Sequence, residues 1–254
     1  MRSFSADQAL VYAAEIFSSR YKGAEFCIAA GSIILGLGTA GSDLDLVVVH
    51  QKLPTAFREA FHHNSMPVEA FVHDYETVQA FIDGDYENAR PTMIHMLATG
   101  VAIPAPVETP RRLQCYARML LEKGPERTAD RKIQELRYAA TDLIEDLKGD
   151  RPQNEQRAIL YYLYETIGEL RLRHGGRFVS RGKHLARSLE QCDAEFSKKL
   201  TGAMESAHRD GVSQTQVETI SSLLESVGGA LFDGYRQEAG AERRKEAKWL
   251  RVSA

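Results

Sequence analysis

Cysteine is scarce. Cys27, Cys115 and Cys192 lie far apart in 254 residues, with no CxxC spacing among them. That argues against a disulfide framework and a cysteine zinc site, and fits three buried spectator thiols in a reducing cytoplasm. No run of 18 apolar residues occurs, so no membrane span is expected. The opening stretch, MRSFSADQAL, has no hydrophobic h-region, so no secretory signal is expected. There is no repeat of fixed period and no low-complexity tract. A cytoplasmic location is therefore expected, with neither a membrane nor a nucleic acid as partner. What remains is a chain of 43% hydrophobic composition, long enough for two domains.

Charge of one sign is also unevenly placed. Residues 1–110 hold 6 Lys/Arg against 13 Asp/Glu, and residues 111–254 hold 26 against 22, so the net charge of −3 hides an acidic first part and a mildly basic second part. An acidic part with a metal, facing a basic part, suits a polyphosphate held between them.

β signals are confined to the first part. Phe26 to Ala30, Leu44 to His50 and Pro67 to His73 read as strands. Helices are expected over 5–20, where Ser5 and Gln8 can form a capping box, over 54–62 behind Pro54, over 75–82, and over 91–100. Pro104, Pro106 and Pro110 then break the pattern and mark a boundary. Beyond them helical periodicity covers 112–123, 129–148, 153–173, 182–192, 194–208, 214–232 and 235–250. Tyr161, Tyr162 and Tyr164 are expected in the core and at interfaces of these helices. The reading is α+β: a small sheet-bearing domain over 1–110, then an all-α helical bundle over 111–254.

The most informative stretch is CIAAGSIILGLGTAGSDLDLVVVH, Cys27 to His50. An apolar strand ends in Gly31-Ser32, a Gly-rich connection follows, and Asp43-Leu44-Asp45-Leu46 leads into Val47, Val48 and Val49. Strand side chains alternate, so Asp43 and Asp45 share one face and Leu44 and Leu46 the other. Two residues of strand rise ~6.6 Å. Like charges at that distance repel by roughly 2.5 kcal/mol at an effective dielectric of ~20. A divalent cation is the simplest counter-charge, and Mg²⁺ binds carboxylate and phosphate oxygens together. Gly31-Ser32 lets the backbone come close to an anion.

This spacing resembles the signature of the polymerase-β-like nucleotidyltransferase superfamily: an apolar residue, Gly-Ser, about ten residues, then Asp-apolar-Asp-apolar. Gly38, Thr39 and Ser42 are similar to the family's usual filling. The layout of a small mixed-sheet domain followed by helices resembles the aminoglycoside adenylyltransferase-type group. The resemblance implies Mg²⁺-dependent transfer of a nucleoside monophosphate, AMP from ATP, to a hydroxyl of an unidentified acceptor. Small molecules such as aminoglycosides are among the acceptors it admits. It implies Asp43 and Asp45 as metal ligands, with Gly31, Ser32, Thr39 and Ser42 at the nucleotide. Relatives carry a third carboxylate in an apolar-acid-apolar setting on the following strand, and Val68-Glu69-Ala70 fits it. Glu69 would complete the metal site or serve as general base.

The segment from His174 to Arg187 gathers glycines and basic residues before a helix. A lysine at a helix start opposes the dipole, so Lys183 needs another reason to be there. The segment resembles a basic stretch in the helical half of several nucleotidyltransferases, which places Arg181 and Lys183 at the triphosphate or the acceptor. A second reading stays open: an antitoxin-like or regulatory nucleotide-binding module acting on a protein or RNA partner, or a pseudoenzyme. Arg177 and His184, six residues between them, also satisfy the short pattern of the helical ribonucleases of toxin systems.

Overall fold

The computed structural model describes residues 4–104, 108–240 and 243–245. Helix α1 (Ala6–Arg20) starts where expected, the Ser5 hydroxyl accepting the amide of Gln8 at 3.2 Å. Strands β1 (Phe26–Ala30) and β2 (Leu44–His50) follow, then β3 (Phe57–His63) and β4 (Met66–Asp74). Helices α2 (Tyr75–Glu87) and α3 (Thr92–Thr99) lead to a short β5 (Val101–Ile103). The five strands form one mixed sheet in the order β3-β4-β2-β1-β5, with β2 and β4 parallel and the other pairs antiparallel.

Two apolar layers follow from strand alternation. Cys27, Ala29, Leu44, Leu46, Val48, Val68 and Ala70 pack with Ala9, Ala13 and Ile16 of α1. Phe26, Ile28, Ala30, Val47 and Val49 pack on the other face, against Val78, Ile82, Met93, Ile94 and Leu97. Ala117 and Leu120 of α4 (Glu108–Lys123) join that second layer.

The expected helix over 54–62 is corrected to strand β3. Pro54 looked like a helix start, but the following residues alternate. Glu59, Phe61 and His63 are half-buried while Arg58, Ala60 and His62 are exposed. Glu59 takes an ion pair from Arg20 and a 2.7 Å hydrogen bond from the Tyr21 hydroxyl, and Phe61 joins the α1 layer. Asn64 and Ser65, both with positive φ (48° and 69°), close the two-residue turn into β4. Strand β5 was not expected; its three residues are too few for a periodic signal.

The chain divides into two compact units, residues 1–128 with 171–192, and residues 129–170 with 193–254. This division does not follow the prolines at 104–110. Gln114 of α4 donates to the carbonyls of Leu97 (3.3 Å) and Gly100 (2.8 Å), which ties α4 to α3 within the first unit. The amide of Val179 donates to Ala89 at 2.7 Å and fastens the basic segment to the α2–α3 turn.

Among the described residues the regular elements of the second unit are helices: α5 (Asp130–Lys148), most of α6 (Gln153–His174), α8 (Ala194–Asp210) and α9 (Gln214–Glu225), while α7 (Lys183–Cys192) belongs to the first unit. Helix α9 stops seven residues short of the expected Phe232. Gly228 and Gly229 take φ of 117° and 77°, and the Arg137 guanidinium holds the released carbonyls of Gly229 (2.8 Å) and Ala230 (3.1 Å) on α5. Residues 235–240 are not helical, and the rest of the helix expected over 235–250 lies largely outside the described residues. Tyr161 and Tyr162 are exposed on α6 rather than in the core, and of the three cysteines expected to be buried only Cys27 is: Cys115 is exposed on α4 and Cys192 half-buried at the end of α7. Among the described residues no helix is long and apolar enough to cross a membrane.

Candidate active site

Strand register assembles the site. Ala30, the last residue of β1, pairs with Asp45 on β2, and Asp45 pairs with Glu69 on β4. Paired neighbours in adjacent strands carry their side chains to the same face. Asp45, Glu69 and Phe71 therefore stand on the α2–α3 side, beyond the apolar layer, while Leu44 and Leu46 are buried toward α1. Asp43 precedes the strand and reaches the same place. Oxygens of Asp43, Asp45 and Glu69 all lie within 4.8 Å of one another, and all three residues are half-buried.

The crowding has an electrostatic signature. Burial, then the charges of Asp43 and Glu69, push the Asp45 carboxyl up to about 6, while Arg58 and Lys183 pull it back. Three carboxylates this close leave an excess of negative charge and offer hard oxygen donors at one point. Such a donor set fits Mg²⁺ or Mn²⁺ rather than a soft metal.

The backbone of Gly31 lies against Asp45. Its φ is +89°, and a Cβ built on it would lie 2.2 Å from Asp45 Oδ2. Both facts exclude a side chain there. The following turn is held by its own groups: the amide of Leu35 donates to Gly31 (3.2 Å) and that of Leu37 to Ser32 (2.8 Å). The buried Ser42 hydroxyl accepts from Ser32 Oγ (3.0 Å) and from the amide of Thr39 (2.8 Å). Thr39 and Ser42 thus lock the connection around Gly31 and Ser32.

The chain matches no protein-family model and no curated protein. Among solved structures it is similar to a nucleotidyltransferase-like protein from Exiguobacterium sibiricum 255-15, at 13% identity, over 85% of this chain and 74% of that chain, with a TM-score of 0.47. A likeness so distant does not carry chemistry, which is argued below from the site itself.

The basic residues fall unevenly. Lys183 opens α7 within the same unit as the carboxylates, and its charge is felt at Asp45. Around it the pKa of His184 is lowered, first by desolvation and then by Lys183, Arg187 and His95. No acidic residue occupies the first turn of α7, so no carboxylate of that turn offsets Lys183. Arg181 is exposed just before the helix, its carbonyl accepting the amide of His184 at 3.1 Å. Arg177 lies in the loop before α7 and does not share a helix with His184.

Arg58 is the residue that sequence reading missed. Once 57–63 is a strand, its place follows. Arg58 pairs across β3–β4 with Phe71, and Glu69 lies two residues along β4 on the same face. Diagonal neighbours are within reach of long side chains. The guanidinium lies 4.9 Å from the Phe71 ring centroid and is ion-paired with Glu69.

Proposed function

We propose that this chain is a metal-dependent nucleotidyltransferase. One observation carries the reading: the carboxylates of Asp43 just before β2, Asp45 on β2 and Glu69 on the adjacent β4 converge within 4.8 Å, against the glycine that follows the last residue of β1. Asp43, Asp45 and Glu69 would hold Mg²⁺, which when bound supplies charge neutralisation for the phosphates. The Gly31-Ser32 backbone faces the β and γ phosphates of ATP or another nucleoside triphosphate, with Thr39 and Ser42 acting through the turn that they lock. Lys183 and Arg181 add positive charge to the polyphosphate side.

An acceptor hydroxyl attacks the α-phosphorus in line. The new oxygen–phosphorus bond forms, the bond to the β-phosphate bridging oxygen breaks, and pyrophosphate leaves. The hydroxyl proton goes to a carboxylate, for which Glu69 is the choice. Little covalent work falls to the protein, so catalysis is positioning and charge stabilisation. The acceptor is a hydroxyl compound, with a small molecule of the aminoglycoside kind as the first to test. The reaction belongs in the cytoplasm, where ATP and Mg²⁺ are abundant.

The test is a thermal scan of the full chain with ATP alone and with Mg²⁺·ATP. Only the latter should stabilise it strongly, by ~2.7 kcal/mol when the ligand is at 100 times its dissociation constant. Equal stabilisation by ATP without a divalent ion would sink the metal reading. Mass spectrometry of candidate acceptors incubated with Mg²⁺·ATP then identifies the adenylylated product.

Lys183→Ala tests the positive side of the site. Lysine is a point charge suited to phosphate, and Lys183 is exposed at a helix start. The substitution should raise the dissociation constant for Mg²⁺·ATP with no loss of melting temperature. An unchanged nucleotide titration would remove Lys183 from the site.

A further inference from the structure

We propose that Arg58 is a built-in competitor of the metal: it occupies Glu69 in the nucleotide-free protein and so keeps the carboxylate site poor in divalent cation until the nucleotide brings one in. The inference rests on the metal-dependent reading above and adds to it the control of when the cation binds.

The geometry points to this role in three ways. First, Arg58 sits on the edge strand, where nothing in the sheet beyond it fixes its side chain. The side chain is 59% exposed, yet it turns inward over Phe71 to pair with the more buried Glu69. Second, Glu69 is shared. The same carboxylate belongs to the only group of potential metal-ligating side chains found among the described residues. A divalent ion drawing on Glu69 must compete with the guanidinium for it. Third, the charge of Arg58 extends past its partner to Asp45. A cation drawing on both Asp45 and Glu69 therefore meets the positive charge of Arg58 before any phosphate is present to offset it.

The Phe71 ring gives Arg58 a resting place that outlasts the ion pair. Cation–π contact holds a guanidinium weakly near a ring at exposed sites. A largely exposed ion pair adds little to it. The contact with Glu69 is thus weak enough to give way to a cation that arrives with its own phosphate oxygens. It is still able to disfavour the bare ion.

Mn²⁺, a paramagnetic stand-in for Mg²⁺, reads this directly. Binding of Mn²⁺ alone to the full chain is titrated by the loss of the free-ion electron paramagnetic resonance signal, at low ionic strength and without nucleotide. Arg58→Ala should bind Mn²⁺ about tenfold more tightly than wild type, as expected for removing a unit charge near a divalent ion in a largely aqueous dielectric. Arg58→Gln, which keeps a stem over Phe71, should tighten binding likewise. The difference should shrink as salt is raised. In a Glu69→Gln background, where Arg58 has lost its ion-pair partner, the same Arg58 change should tighten binding less.

Equal or weaker Mn²⁺ binding in both Arg58 variants overturns the proposal, weaker binding meaning that Arg58 positions Glu69 for the metal. A full, additive effect in the Glu69→Gln background also overturns it, since Arg58 would then act as a remote charge and not through Glu69. Asp45→Asn separates the underlying reading from the proposal. If wild type binds Mn²⁺ and Asp45→Asn does not, a null result with Arg58 falls on the proposal alone. If wild type shows no binding, or binding that Asp45→Asn leaves untouched, the metal-dependent reading fails and the proposal falls with it.

Discussion

Asp45→Asn should abolish nucleotidyl transfer while leaving the metal-free protein at least as stable as wild type at pH 7. Asp43→Asn should do the same to transfer. On the proposed function the two effects separate, because these carboxylates would serve a ligand and not the fold. Asp45 is raised to about 6 by burial and by Asp43 and Glu69. In an unfolded chain an Asp titrates at ~3.9. Between those values the folded protein holds a proton that the unfolded chain has released. The stability contribution of Asp45 is therefore greatest below pH ~4, declines as pH rises toward ~6, and stays low above it. The ceiling on that decline is roughly 3 kcal/mol. Asn cannot ionise, so the variant should lose this slope and melt at the same or higher temperature than wild type at pH 7. Melting curves in chelator at pH 4.5 and pH 7.5 check the sign, and a transfer assay checks the loss. A marked drop in metal-free melting temperature for both variants would show that the pair is structural.

The same carboxylates show what could be read from the residues alone. The alternation of Asp43-Leu44-Asp45-Leu46 dictates opposite faces, and the structure buries both leucines toward α1 while the aspartates stand clear. The setting of Glu69 fixed its strand, but not that β4 lies parallel beside β2 and brings Glu69 level with Asp45. That is a matter of strand order, to which local sequence is blind. The glycine at 31 was legible as a close approach, and what approaches it is the Asp45 carboxylate.

Arg58 was hidden for a different reason. Phe57 to His63 forms an edge strand whose alternation is set by contacts with α1, and the Pro54 signal just before it points to a helix. On a helix Arg58 would have no relation to Glu69. On the strand it stands diagonally across from it. Asp85 is a similar case. Its carboxylate accepts the amides of Met93 (2.5 Å) and Ile94 (3.2 Å) and caps α3, which has no side-chain cap of its own. Burial still pushes it up to about 6, against the pull of those amides. Eight residues separate it from the amide it serves, beyond any capping pattern that a local reading tests.

Glu69→Gln divides chemistry from binding and should give the second large effect. Transfer should slow by about 10²–10⁴-fold, the usual loss for a general base. Binding of Mg²⁺·ATP should stay close to wild type, because Asp43, Asp45 and the phosphates themselves remain to hold the ion. Glutamine keeps the size and one acceptor oxygen of Glu69, so packing beside Val68 and Ala70 is little disturbed. Its ion pair with Arg58 is lost, but Arg58 is exposed enough that the cost to stability is ~0–1 kcal/mol. Nucleotide titration, single-turnover transfer and a melting curve on the one variant separate these terms. Transfer at the wild-type rate would mean that the proton leaves by another carboxylate or by water. Loss of nucleotide binding in step with transfer would assign Glu69 to holding the nucleotide's own metal. A slow step with binding intact is the result that makes Glu69 the group receiving the acceptor's proton.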